Sequence, residues 1–173
     1  MKRFLSLLIL AIAPLSATEL AHIFSPGTPI LEQSKAELIR KFYDAFEKND
    51  AAALSSTLLP KYTVRNLSDL HQSVISRYSE GSSNLVERMK AYHEAFPNLT
   101  IKIEEMFGTE NKIVAVVSMT GIQKGNFLGI APTNRYITAM GVAIFTITSD
   151  KISEIDEMVN EYQLMKQLGY IAI

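Results

Sequence analysis

The residues best suited to proton transfer lie in the last apolar segment of the chain. From Lys151 onward, alternation puts Ile152, Glu154, Asp156, Met158 and Asn160 on one face of an extended strand. Ser153, Ile155, Glu157 and Val159 fall on the other. Glu154 and Asp156 would then stand roughly 7 Å apart along the strand. If that face lines an apolar pocket, desolvation raises a carboxyl pKa and prepares it for general acid–base work near neutral pH. The spacing leaves the opposite reading open: Ile155 and Val159 can equally define the buried face, with Glu154 and Asp156 at a solvated edge. Further polar candidates are Arg65, Asn66, Gln123, Arg135 and the tyrosines Tyr43, Tyr62 and Tyr92. Each of these also fits a surface or core-rim position.

Other chemistries find little support. The three histidines, His22, His71 and His93, form no HExxH pair, and His93-Glu94 has no second histidine at the required offset. Cysteine is absent, which removes disulfides, thiol nucleophiles and thiolate-bound metals. Gly121, Gly125 and Gly129 are spaced four apart but precede no helix, so they read as bends rather than a phosphate cradle. No GxSxG elbow occurs. With 17 basic and 18 acidic residues the formal charge is −1, and no basic stripe favours nucleic acid. Neither a metal nor a cofactor is expected. With 47% hydrophobic and 20% charged residues, the chain can build a sizeable core in one domain.

The elements that must position these groups can be read from periodicity. Ser34-Lys35-Ala36-Glu37 predicts a capping box, followed by Leu38, Ile39, Phe42, Tyr43 and Phe46 on one helical face. Asp50 is placed to cap a second helix through Leu59, with Pro60 ending it. An extended stretch, Tyr62 to Asn66, precedes an ambiguous, partly helical segment from Ser68 to Gly81. A third helix is predicted from about Asn84 to Phe96, with Leu85, Met89, Tyr92 and Phe96 inward. Thereafter the period becomes alternating. Strands are predicted around Leu99–Ile103, at Lys112–Gly121, at Tyr136–Thr148 and from Lys151, the last two joined by a turn at Ser149-Asp150. A short helix, Glu161 to Leu168, ends at Gly169. Helices first and antiparallel hairpins after them indicate an α+β fold, a bent sheet with helices on one side forming a cone open to a ligand.

The N-terminus has the composition of an export signal. Lys2 and Arg3 precede an apolar run of 12 residues, Phe4 to Leu15, and Ser16-Ala17-Thr18 offers small residues for cleavage. A spanning helix needs roughly 20 residues. The expected organisation is a signal at 1–17, a turn-rich linker at 18–31 and a folded domain at 32–173, with a periplasmic or secreted product and no stable membrane insertion after cleavage.

One long stretch resembles a known family. Gly121-Ile122-Gln123-Lys124-Gly125-Asn126-Phe127-Leu128-Gly129-Ile130-Ala131-Pro132-Thr133-Asn134-Arg135 is similar to G-T-H-x-G-x-F-x-G-x-x-P-T-G-R of the SnoaL-like polyketide cyclases, in the nuclear-transport-factor-2-like superfamily. Asp150 to Glu154 resembles D-G-K-I-x-E without its Gly, and Gln167-Leu168-Gly169 matches the closing Q-L-G. Phe42 to Phe46 and Ala95 to Asn98 resemble two upstream signatures. The resemblance implies a cone-shaped curved antiparallel sheet packed on N-terminal helices, a sheet-to-sheet homodimer, and a cofactor-independent cyclase or isomerase whose pocket carboxylate moves a proton beside a ketone. The family's acid/base Asp aligns with Asn160, its aromatic residue with Asp156 and its His with Gln123. Its strand Arg aligns with Val117, its H-N pair with Arg65-Asn66, and the acid of F-P-D with Asn98. Two readings follow. In one, Asp156 or Glu154 has taken over proton transfer, with Asn160 and Gln123 as donors to an enolate oxygen. Arg65, Asn66, Gln123, Tyr43, Phe127 and Met158 then contact the substrate. In the other, the cone binds a small apolar or amphipathic molecule without turnover. A third, weaker reading is a protein-docking role for the curved sheet.

Overall fold

The computed structural model describes residues 32–67 and 82–170. The predicted signal at 1–17, the linker at 18–31 and the ambiguous segment from Ser68 to Gly81 lie outside the described residues. Helix α1 (Gln33–Glu47) buries Ala36, Ile39, Phe42, Ala45 and Phe46, one stripe at helical spacing. The expected capping box does not form. The helix begins ahead of Ser34, with Glu32 at the N-cap, and Ser34 Oγ donates to Glu32 Oε1 at 2.7 Å instead. Asp50 does cap α2 (Ala51–Ser56): its Oδ1 accepts from the Ala53 N–H at 2.9 Å. That helix stops earlier than expected. Leu58 already belongs to strand β1 (Leu58–Asn66), so Leu59 and Pro60 are extended rather than helical. Proline is tolerated there because β1 is an edge strand whose register breaks between Leu58 and Thr63.

Helix α3 (Ser82–Ala95) turns Leu85, Met89 and Tyr92 inward. The sheet is completed by β2 (Thr100–Gly108), β3 (Lys112–Ile122), β4 (Tyr136–Thr148) and β5 (Lys151–Val159), followed by α4 (Glu161–Leu168). The strand order is β1-β5-β4-β3-β2. From β2 to β5 the strands form an antiparallel meander, while β1 returns to pair in parallel with β5. Ser149 and Asp150 both take positive φ (49° and 56°), the geometry of a tight hairpin whose twist suits the flanking strands. The chain is thus α+β, with helices preceding a curved five-stranded sheet. Among the described residues, no helix is long and apolar enough to cross a membrane.

One irregularity decides which side chains face the helices. Between β4 and β5 the pairing steps from Thr146↔Glu154 to Ile147↔Ile152, which leaves Ser153 as an extra, bulged residue. The Ser153 hydroxyl donates to the Thr146 carbonyl at 3.1 Å and fixes the bulge. Strict alternation fails there. Ile152, Ile155, Glu157 and Val159 share the inner face with Ile147, Phe145, Ala143 and Gly141 of β4, and Glu154, Asp156 and Met158 point outward.

The core lies between this inner face and the helices. Phe42 packs edge-on against Phe145, with ring centroids 5.3 Å apart, and Phe127 packs against both Tyr92 and Phe96. Replacing Asp50 by Ala removes the α2 cap and should lower stability by about 1 kcal/mol, measured by urea unfolding. An unchanged midpoint would show that the cap contributes nothing.

Candidate functional site

A cavity of about 100 Å³ opens between the inner face of the sheet and helices α1 and α3. Its walls are largely apolar: Phe42 and Phe46 from α1, Ile101 and Val117 from the sheet, and Phe145 and Ile155 from its far side. The polar contribution is concentrated at one place. Arg88 of α3 and Glu157 of β5 form a two-pronged ion pair. Nη1 donates to Oε1 and Nη2 to Oε2, the latter at 3.1 Å, with side-chain exposures of 10% and 18%. Burial alone would lower the Arg88 pKa, and the charge and hydrogen bonds of Glu157 more than reverse this, so the guanidinium stays charged.

Two phenols stand beside the pair. Burial raises the Tyr43 pKa, and the negative charge of Glu157 adds to the rise, with Arg88 opposing it. Burial likewise pushes Tyr92 up to about 12, again against the pull of Arg88. Both phenols therefore stay protonated at neutral pH, each with an O–H to donate. Neither has a hydrogen-bond partner among the described residues, and neither oxygen is sealed in the core. They are available to a carbonyl or enolate oxygen placed in the cavity. Asn66, at the end of β1 and in register with Glu157, completes the polar rim.

The structure brings Tyr43, Tyr92 and Asn66 to this cavity, and Met158 lines both it and a second depression. It places the other sequence candidates elsewhere. Asp156 and Glu154 lie on the outer face, because the Ser153 bulge reverses the expected phase of β5. Asp156 receives Arg65 through both oxygens, at 2.6 and 2.8 Å, and Glu154 accepts from the Thr146 hydroxyl. Asn160 is the N-cap of α4, its Oδ1 accepting from the Gln163 N–H at 3.0 Å. It lines a second, more open depression on the outer face, with Met140, Val142, Met158 and Tyr162.

Gln123 is fully buried and spends its amide on the connection between β3 and β4. It donates to the carbonyls of Gly125, Ile130 and Ala131 and accepts from the Thr133 N–H and hydroxyl. Phe127 belongs to the core behind Tyr92.

Sequence reasoning missed Arg88 and Glu157 as a site. A signal for each exists. Arg88 falls three residues after Leu85 and four before Tyr92, a charge on the buried stripe of a helix. Glu157 sits between Ile155 and Val159, on the apolar face of β5 that the alternation had left as an open alternative.

Fold and cavity together define an α+β cone with a polar cluster inside an apolar chamber. Residues 36–168 match the SnoaL-like polyketide cyclase family, and the chain belongs to it. Solved structures agree on the fold. TsrD from Streptomyces laurentii superimposes with a TM-score of 0.69 at 20% identity, covering 82% of this chain and 99% of that one. A proposed SnoaL-like polyketide cyclase from Jannaschia sp. CCS1 gives 0.69 at 20%, covering 83% and 96%. IdmH from Streptomyces antibioticus, a proposed polyketide cyclase, gives 0.67 at 16%, covering 80% and 99%. A search of curated proteins gives no match.

Replacing Arg88 by Met leaves Glu157 half-enclosed without its partner and should cost about 3–5 kcal/mol, read from urea unfolding. A loss below about 1 kcal/mol would mean that water replaces the guanidinium without penalty.

The tyrosines supply a pH test. In the unfolded chain a tyrosine ionises around its ordinary value of 10.0, while Tyr43 and Tyr92 remain neutral in the fold to higher pH. Their contribution to stability is therefore complete below about pH 10 and is lost as pH rises through about 12. Phenolate absorbance of the folded protein should show a late component that Tyr43→Phe and Tyr92→Phe each diminish. Coincident titration of folded and unfolded chains would contradict the burial of both phenols.

Proposed function

We propose that the cavity binds a small, mainly apolar carbonyl compound and that Glu157 moves a proton at the carbon next to the carbonyl, in a cofactor-independent isomerisation or cyclisation. The observation that carries this reading is the placement of Glu157 inside the apolar chamber beside two protonated phenols. The carboxylate takes the α-proton, and the electron pair of the broken C–H bond moves onto the carbonyl oxygen. The Tyr43 and Tyr92 hydroxyls hydrogen-bond the resulting enolate. The enolate then either regains the proton from Glu157 at another carbon or attacks a second carbonyl carbon of the same molecule, whose π electrons move onto its oxygen and take the proton from Glu157. Arg88 fixes the orientation of the carboxyl group. Membership of the SnoaL-like polyketide cyclase family supports the reaction class.

One observation favours binding without turnover. Both Glu157 oxygens already engage Arg88, and Asn160 stands where the family resemblance implies an Asp. The Lys2-Arg3 pair, the apolar run to Leu15 and the small residues before Thr18 support export to the periplasm or beyond. The exposed Met140 and Met158 on the outer face support pairing of two copies through their sheets.

Hydrogen–deuterium exchange at the α-carbons of cyclohexanone, followed by NMR in heavy water, tests the chemistry without knowledge of the natural substrate. Glu157→Gln should reduce protein-catalysed exchange by about 10²–10⁴-fold, and Tyr92→Phe should reduce it by a smaller factor with the fold intact. Saturable cyclohexanone binding with no catalysed exchange in the wild type would establish the binding role instead.

A further inference from the structure

We infer that Gly141 sets the size and shape of the ligand that the cavity accepts, an inference that rests on the proposed carbonyl pocket. Gly141 lies in the middle of β4, paired with Val117 on one side and Val159 on the other. A glycine in a strand interior is a costly choice, because it gives up more backbone freedom than alanine and packs nothing. Its φ is not positive, so the backbone makes no demand for glycine.

Space does not demand glycine either. A Cβ built at this position would meet the Met158 carbonyl oxygen at 3.3 Å, Val159 Cγ2 at 3.5 Å and Val117 Cγ2 at 3.7 Å. Only a few tenths of an ångström of adjustment would be needed. Gly125 is the contrast: a Cβ there would collide with the Glu94 carbonyl, so the fold itself requires that glycine.

What the missing side chain at 141 does provide is room in the chamber. Its inner-face neighbours on β4, Ala139 and Ala143, line the same cavity, and Ala143 is paired with Glu157. Gly141 is therefore diagonal to the carboxylate across two strands, roughly 7–8 Å between backbones. Tyr92 faces the same chamber, with 9% exposure and no hydrogen-bond partner among the described residues. A carbonyl group held by the phenols at Glu157 would lay the apolar part of its molecule over Gly141. Any side chain at 141 occupies that space.

The test uses cyclopentanone and cycloheptanone as probes on the full chain and on Gly141→Ala and Gly141→Val, with affinities from ligand-observed NMR titration. The wild type should bind both rings. Gly141→Ala should weaken cycloheptanone at least tenfold while holding cyclopentanone within about threefold, and should unfold at the same temperature as the wild type or higher. Gly141→Val should extend the loss to the smaller ring. Equal affinities in all three proteins would overturn the role of Gly141 and leave the pocket reading standing. A marked fall in the melting temperature of Gly141→Ala would show that the fold demands the glycine, which also overturns the inference. Failure of the wild type to bind either ring would overturn the carbonyl pocket itself.

Discussion

Burial strips Arg88 of water, and the charge that compensates for it comes from across the chamber, on Glu157 of β5. Each partner is tolerated in the interior because the other is present, since removing one of a buried pair leaves an uncompensated charge. The pair also ties helix α3 to β5, the strand next to the β1 edge. Burial keeps Tyr43 and Tyr92 protonated, and the opposed charges of Arg88 and Glu157 partly offset each other at their oxygens. The polar end of the chamber is thus one electrostatic unit. An apolar chamber of this shape without the pair would hold a hydrocarbon equally well in any direction.

Much of the fold could be read directly from residue order. The stripe Ile39, Phe42, Phe46 and the stripe Leu85, Met89, Tyr92 gave their helices through period alone, and Ser149-Asp150 marked its hairpin through turn chemistry. The site was harder to read because it depends on the phase of β5. Alternation from Lys151 assigns Ile152 and Glu154 to one face, and a single bulged residue, Ser153, separates them. A bulge is a property of the pairing between two strands, so nothing in β5 alone announces it. Its effect is to exchange Asp156 for Glu157 as the carboxylate facing the helices. Arg88 escaped notice for a related reason: a lone charge on an apolar stripe gains meaning only when its partner, 69 residues away, is known to face it.

The amides at positions where the family resemblance implies acids or a histidine show what replaced that chemistry. Asn98 Oδ1 accepts from the Ile122 N–H, Asn160 Oδ1 from the Gln163 N–H, and Gln123 Oε1 from the Thr133 N–H. Each amide satisfies backbone that would otherwise be left without a partner at the end of a strand, the start of a helix or inside a loop. Gln167 does the same from α4, bonding both the N–H and the C=O of Thr138 as a neighbouring strand would. These side chains tie strand ends, helix α4 and the β3–β4 connection together through their backbone.

The parallel pairing of β1 with β5 has a consequence for how the chain is assembled. Arg65 and Asp156 meet across 91 residues of sequence, whereas the meander from β2 to β5 closes through short connections. Loop closure of that span is entropically costly and slow compared with hairpin formation. Strand β1 therefore has nothing to pair with until β5, Lys151–Val159, has been synthesised. Until then the chamber lacks the wall that carries Ile155, Glu157 and Val159.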